Sequence, residues 1–385
     1  MKLTCLPTRV LSLAFAGFCG TALVQVATAK TPVKPICAAS ALKISIGTYN
    51  VENFWDDTPG NSTPYDDFGP QTSNWYSDEI YLVKAKHVAE ALQLAGAPDI
   101  MALEELESGF NNSHVLELLK PELENMGYKY FALGQQNSAD PTAVTTGVIS
   151  KFPILSNERL DFVGPTNGDS GSVGVNVLSS ARDPQVVTVD VSGTKVRVYA
   201  SHWKSRLGDF AAGEAMRVAI AKLIKADIDS VRAKNPTLDV VVMGDFNSDQ
   251  SERPMVSGLQ LANTKEALKN TTASNTYDLW FELQESDRCS YVFKGQRQCI
   301  DHIVVNSTAF DGKGLDFVEG SFRVVGHGDA AEKTLVGSNG TPYRWQERKN
   351  KGFTSHPGEG YSDHLPLVAD FILQTSVGGQ ARTCK

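Results

Sequence analysis

The stretch VVMGDFNSD at 241–249 ends an apolar run in Asp245 and Asn247, with Phe246 between them. On a strand, side chains alternate faces, so the acid and the amide point one way and the phenylalanine points into packing. Turns use the same residue types for local hydrogen bonds, so this pair alone defines nothing. Comparable groups stand at the ends of other apolar runs: Asn50, Glu105, His202, Asp301 and the pair Asp363–His364. Asn50 is in phase with Ile44 and Ile46, Glu105 with Met101 and Leu103, and His202 with Val196 and Val198. Asp245 follows Val241 and Met243, and Asp301 precedes Ile303 and Val305. Five strands ending in an acid, amide or imidazole are poorly explained by turns, and these groups equip a site for proton transfer. His302 alternates away from Asp301 and reads as structural, as Glu104 alternates away from Glu105. His87, His114, His327 and His356 receive no role.

The elements that must position these groups follow from periodicity. Strands are expected at 42–51, 98–106, 145–154, 238–247 and 364–373. A hairpin over 185–205 turns at Ser192-Gly193, and a second, bracketed by Cys289 and Cys299, turns at Lys294-Gly295 before a strand to 306. Helical periods run over 78–96 (ending in glycine), 113–127 (broken near Pro121) and 212–234. Strands both paired as hairpins and separated by helices predict an α/β fold of two packed mixed sheets with helices outside. No linker divides the chain, so 41–385 reads as one domain after a short segment, 30–40. The loop 56–78 carries aspartates that could bind calcium, although a solvated loop is the simpler reading.

The 385 residues are 41% hydrophobic, with 32 glycines and 17 prolines spread throughout, which argues against disorder or a repeat array. Residues 1–29 read as a secretory signal peptide: Lys2 and Arg9, an apolar run, then the small-residue site ATA ending at Ala29. The run is too interrupted for a membrane span, and Phe18 before Cys19 disfavours a lipid anchor. An exported protein, periplasmic or extracellular and monomeric, is expected. Removing 1–29 leaves 34 Lys plus Arg against 44 Asp plus Glu, a balance of −10. Bulk charge therefore excludes tight non-specific nucleic-acid binding; any polyanion must be met locally, by a metal or a small basic patch. Cys37, Cys289, Cys299 and Cys384 remain, and an even count in an exported chain favours disulfides. Cys289–Cys299 across the hairpin and Cys37–Cys384 are the favoured pairings of three.

TYNVENFW, DIMALEELE, SHWKSR, GDFNSD, IDHIVV and SDHLPL stand in that order between residues 44 and 372. The sequence thereby resembles the endonuclease/exonuclease/phosphatase (DNase I-like) superfamily, which includes deoxyribonucleases, abasic-site endonucleases, sphingomyelinases and inositol phosphatases. Each motif alone is weak, but six in order are specific, and HWKSR is most similar to exported bacterial extracellular nucleases. The resemblance implies a four-layer sandwich with a cleft at one end of the paired sheets. It implies metal-binding places for Asn50, Glu105 and Asp363, with Mg2+ expected and Mn2+ or Ca2+ as alternatives. It also implies that Asp245 activates water, Asn247 contacts phosphate, His202 and His364 serve the phosphoryl oxygens, and Asp301 orients His364. Glu104 stands where that family often has glutamine.

The implied reaction is metal-assisted attack of water on a phosphodiester of DNA, and of RNA as a further substrate. The alternative keeps the chemistry and changes the substrate to a phospholipid head group or phosphorylated polyol. A non-catalytic binding module is disfavoured because all eight site positions hold competent residues. Candidate substrate contacts are Lys204, Arg206, Lys294 and Arg297, with Arg288, Arg344, Arg348, Lys349 and Lys351 as further cations and Trp345 to stack on a base. The hairpin tip also carries Tyr291, Val292 and Phe293, which would suit a membrane as well as a polyanion.

Overall fold

The computed structural model describes residues 41–55, 78–108, 114–135, 144–162, 182–269, 275–345 and 358–374. The expected signal peptide, Cys37, Cys384, the 56–77 loop, Arg348, Lys349, Lys351 and His356 lie outside them. One sheet has the order β13-β15-β1-β2-β4-β3, with β14 paired to β15; the other has the order β5-β6-β7-β8-β12-β9. In the first, β1 is Leu42–Phe54, β2 Ile100–Glu107, β3 Tyr130–Leu133, β4 Val144–Ser150, β13 Gly314–Phe317, β14 Arg323–Val324 and β15 Leu367–Gln374. In the second, β5 is Ile154–Arg159, β6 Gln185–Val191, β7 Thr194–Ala200, β8 Asp239–Asp245, β9 Thr276–Asp278 and β12 Asp301–Asn306. Between them in the chain, β10 (Tyr291–Phe293) and β11 (Gln296–Gln298) form a separate two-stranded ribbon.

Both sheets are mixed for the same reason. Each has one central parallel pair made by a helical crossover: β1 and β2 through α1 (Asp78–Leu94), and β7 and β8 through α3 (Phe210–Lys234). Central strands of the two sheets face one another, β1 against β8 and β12. The alternation read from sequence decides which side chains meet there. Ile44, Ile46, Val196, Val198, Val241, Met243, Ile303 and Val305 share one core, while Val240, Val242 and Val304 meet Ile220, Ile224 and Ile228 of α3 in another. Helix α1 and α2 (Val115–Glu124) form the outer layer on the first sheet, completing the four-layer sandwich. Among the described residues no helix is long and apolar enough to cross a membrane.

Several boundaries differ from expectation. Helix α1 stops at Leu94 because Gly96 turns left-handed and the next amide, Ala97, bonds back to Leu92, closing the helix with a glycine cap. Helix α2 runs through Pro121 instead of breaking there. Strand β8 ends at Asp245, so Asn247 belongs to the following turn and not to the strand. The two hairpins turn where expected, with Ser192-Gly193 and Lys294-Gly295 all at positive φ. Cys289 and Cys299, however, are free buried thiols. The ladder pairs Tyr291 with Gln298, and the Ser290 amide bonds Gln298 O, so the two cysteines sit one residue out of register. Cys289 Sγ donates instead to Tyr291 O at 3.3 Å.

Candidate active site

The topology brings five strand ends to one place. β1, β2, β7 and β8 point their C-terminal ends there, and antiparallel β12 begins there, with Asp301 in register with Asp245. His364 follows three residues before β15. Asp245, Asp301 and His202 continue the inter-sheet faces of their strands, as phase predicts, and all are buried. Gly244 makes the close passage of β7 and β8 feasible. It stands at φ 136°, and a Cβ there would lie 2.0 Å from Ser201 O.

Asn50 and Glu105 arrive differently. The parallel register pairs Asn50 with Glu104, so simple alternation would turn Glu105 away. Instead β1 is irregular between Asn50 and Phe54, β2 is irregular between Leu103 and Leu106, and Glu52, Asn53 and Glu105 all take left-handed φ. These bulges swing Glu105 back toward Asn50, and Asn247 after β8 is left-handed too. Four non-glycine residues in this conformation, each costing about 1–3 kcal/mol, mark strain concentrated at one site. Glu104 is correspondingly not remote from the site. It is fully buried beside Asn50, accepts from Thr48 Oγ1 at 2.8 Å, and burial raises its carboxyl well above the usual range.

At the centre, Asn50 Nδ2 donates to Glu105 Oε1 and to Asp245 Oδ2, both at 3.1 Å. The Asn53 amide holds Glu105 Oε2 at 3.0 Å, and the Asn247 amide holds Asp245 Oδ1 at 2.9 Å. Asp245 Oδ2 lies 3.5 Å from His202 Nε2 and 3.8 Å from His364 Nε2. Asp301 grips His364 Nδ1 at 2.8 Å and accepts from Ser290 Oγ at 2.6 Å. Ser362 Oγ donates to Asn50 O at 2.6 Å and accepts the His364 amide, tying that histidine to β1. Asp363 is less buried; one oxygen lies 3.8 Å from His364 Nε2 and the other 3.8 Å from Arg344.

Electrostatics separates the two imidazoles. Burial alone would lower the pKa of His364, but hydrogen-bonded Asp301, with Asp363 and Asp245 nearby, raises it well above the ordinary value, so the ring is cationic at neutral pH. His202 is pushed well below by burial and then by the charges of Arg182, His364 and Lys204, so it is neutral. Between them burial pushes Asp245 up to about 7, although His364 opposes this. An acid and a base with divided pKa values flanking one carboxylate is the arrangement that proton transfer near neutral pH requires.

The oxygen set suits a hard divalent cation. Glu105 and Asp363 each keep 21% of the side chain exposed, and crowding by Asp301 and Glu105 helps hold the Asp245 pKa up, so the site favours positive charge. Asp245, Asp301 and His364 also offer ligand atoms within 4.8 Å of one another. Both Asp301 oxygens are already engaged by Ser290 and His364, however, so this trio works as a hydrogen-bonded relay and the open carboxylates are the better ligands.

With this geometry established, comparison with known proteins decides the lineage. The model of a family described as "Endonuclease/Exonuclease/phosphatase family" matches residues 45–372. This chain belongs to that family. It is accordingly a phosphoric ester hydrolase, from a family whose enzymes use divalent metals. Among solved structures it is similar to a humanized D. rerio TDP2 carrying 14 mutations, with TM-score 0.51, 15% identity, and coverage of 86% of this chain and 98% of that one. It is equally similar to SmcL, with TM-score 0.51, 15% identity, and coverage of 86% and 99%. A Bacteroides thetaiotaomicron protein of the same family has TM-score 0.49 and 16% identity, covering 88% and 100%. No curated protein sequence matches the chain. At such identities the structures share the fold alone, which is the DNase I-like sandwich.

The expected substrate contacts fare unevenly. Lys204 is half-buried beside His202, its pKa lowered by burial and by Arg182 and Arg217. Arg206 is absorbed by the scaffold, paired with Asp249 at 2.9 Å and Glu252 at 3.0 Å. Arg297 pairs with Val292, on the ribbon face opposite Tyr291, whereas Lys294 sits at the exposed tip. Arg288 is held by Leu283 O. Trp345 is fully buried against Lys84 and His87, so it cannot stack on a base. His302 is structural: both ring nitrogens find acceptors, Asp278 Oδ2 and Ser248 O at 2.7 Å each, and its ring stacks on Phe246.

Sequence reading missed Arg182. It donates to Trp203 O at 3.3 Å, burial lowers its pKa, and Glu105 and Asp245 act on it in the opposite sense. Lying just before β6 rather than on a strand, it has no phase to betray it.

Proposed function

We propose that this protein is an exported, divalent-metal-dependent nuclease that hydrolyses DNA, with RNA as a second substrate. The observation that carries the reading is the convergence of Asn50, Glu105 and two imidazoles on Asp245, with His202 Nε2 and His364 Nε2 at 3.5 and 3.8 Å from the same carboxylate oxygen. A phosphodiester is already anionic, so attack by water builds charge on the phosphoryl and leaving oxygens. Neutral His202 and Asp245 accept hydrogen bonds or a proton from the attacking water. Cationic His364, oriented by Asp301, hands a proton to the leaving oxygen. Asn247 supplies a fixed amide donor, and Arg182 with Lys204 supplies fixed positive charge. Glu105, with Asn50 and Asp363, would hold a magnesium ion, whose contribution when bound is Lewis-acid neutralisation of the phosphoryl charge. Export rests on the reading of residues 1–29.

A second reading, a phospholipid phosphodiesterase, draws on Leu207 and Phe210, which are 69% and 57% exposed beside the Lys204 loop. The deciding experiment offers the mature protein single-stranded and duplex DNA, RNA, and phospholipid vesicles, each with magnesium. Turnover of DNA at least tenfold faster than of lipid supports the nuclease. The reverse ranking assigns the site to head groups.

A further inference from the structure

The β10–β11 ribbon belongs to neither sheet, yet its base is built into the catalytic machinery. Ser290 donates to Asp301 Oδ2 and its carbonyl accepts the Leu365 amide at 2.8 Å. Tyr291 bridges His364 through the backbone, and its ring stacks on the imidazole with centroids 4.5 Å apart at 30°. The stack continues outward. Phe293, two residues on and on the same ribbon face, lies nearly parallel to Tyr291 (11°) at 6.5 Å and is 37% exposed. Lys294 caps the series, its ammonium 5.1 Å from the Phe293 centroid. The series therefore runs from the catalytic imidazole to solvent through two aromatic rings and ends in a cation.

Resting on the nuclease reading, we propose that this ribbon is a substrate-reading arm for single-stranded nucleic acid. Phe293 takes the face of an unpaired base, Lys294 meets the adjoining phosphate, and Tyr291 is the positioning residue that ties the engaged arm to His364. A planar π face beside an anion is the chemistry that an exposed ring with an ammonium next to it recognises. A membrane is the poorer fit, because the four residues after Phe293 (Lys294, Gly295, Gln296, Arg297) are all exposed and none is apolar. The tip is also pre-shaped: Lys294 and Gly295 hold the paired left-handed angles of a tight hairpin turn.

The test compares kcat/KM on a single-stranded oligonucleotide with that on bis(p-nitrophenyl) phosphate, which is too small to reach the tip. For Phe293→Ala the ratio of the two is expected to fall about 5- to 150-fold, mainly through KM, as loss of one stacked base predicts. For Tyr291→Leu, kcat should fall on both substrates and the basic limb of the pH profile should shift, whereas Tyr291→Phe restores both. An unchanged ratio for Phe293→Ala in a protein whose wild type cuts the oligonucleotide overturns the arm and leaves the nuclease standing. A wild type that hydrolyses only the small diester or phospholipid vesicles overturns the nuclease reading itself. Loss of vesicle turnover in Phe293→Ala would assign the tip to lipid and also overturn the arm. Thermal unfolding of each variant, unchanged from wild type, keeps these outcomes free of folding defects.

Discussion

Strand β8 begins at Asp239 and ends at Asp245, and burial pushes both carboxyls up, to about 6 and about 7. Asp239 accepts the Leu315 amide at 3.0 Å, and Gly314 passes so close that a Cβ would meet Oδ2 at 2.2 Å. Gly314 reaches φ 58° there without a side chain to strain. At the other end, Asp245 is met by the Asn50 amide and two imidazoles from three other segments, while left-handed Glu105 holds Asn50 and left-handed Asn247 holds Asp245 itself. A buried acid with a perturbed pKa is therefore not yet a site. Convergence of polar groups from separate strands, maintained against backbone strain, makes the difference.

The comparison predicts that substitutions of groups that meet Asp245 change chemistry, whereas those at Asp239, or at buried groups turned away from Asp245 such as His302, change stability. The largest effect is expected for Asp301→Asn, which removes the carboxylate orienting His364. Turnover should fall by about 10³–10⁴-fold. Because Asp301 raises the His364 pKa, the basic limb of the pH–rate profile should move to lower pH. Arg182→Ala should cost about 10²–10³-fold. It also removes a charge that depresses His202, so the acidic limb should move to higher pH. An unmoved acidic limb would remove Arg182 from the site.

Stability changes come next. His302→Gln breaks the buried pair with Asp278 and should destabilise by about 3–5 kcal/mol in denaturant unfolding. Asp239→Asn should do the opposite. An acid whose folded pKa is raised contributes no penalty at low pH, and its cost appears as pH rises from about 4 through about 6. The asparagine variant should therefore be more stable above pH 6, by up to about 3 kcal/mol, and equal to wild type at pH 3.5. If Asp239→Asn abolished turnover without changing stability, the division between the two ends of β8 would fail.

Much of this arrangement was legible in the sequence. Apolar phase correctly carried Asp245, Asp301 and His202 to the inter-sheet face, because period-2 alternation survives in regular strands. Glu105 reaches Asn50 as expected, but through a bulge and not through phase, and Glu104, expected on the opposite face, lies buried beside Asn50 because no local signal announces that bulge. Phase extends the strand to Asn247 because that residue's left-handed turn is invisible to alternation. Trp345 and Arg206 read as surface because aromatic and basic types suit a rim, but tertiary packing and acids distant in sequence claimed them. The Cys289–Cys299 pairing fails through register, which a turn at Lys294-Gly295 fixes one residue away from a match.

The central claim is that water attacks a phosphodiester at the cluster around Asp245 with the help of a divalent ion. Nicking of supercoiled plasmid by wild type and Asp245→Ala, each with magnesium and with EDTA, tests it most directly. The account predicts nicking by wild type in magnesium alone and a rate at least about 10³-fold lower in the variant. Equal nicking by a folded Asp245→Ala protein, or undiminished nicking in EDTA, would contradict it.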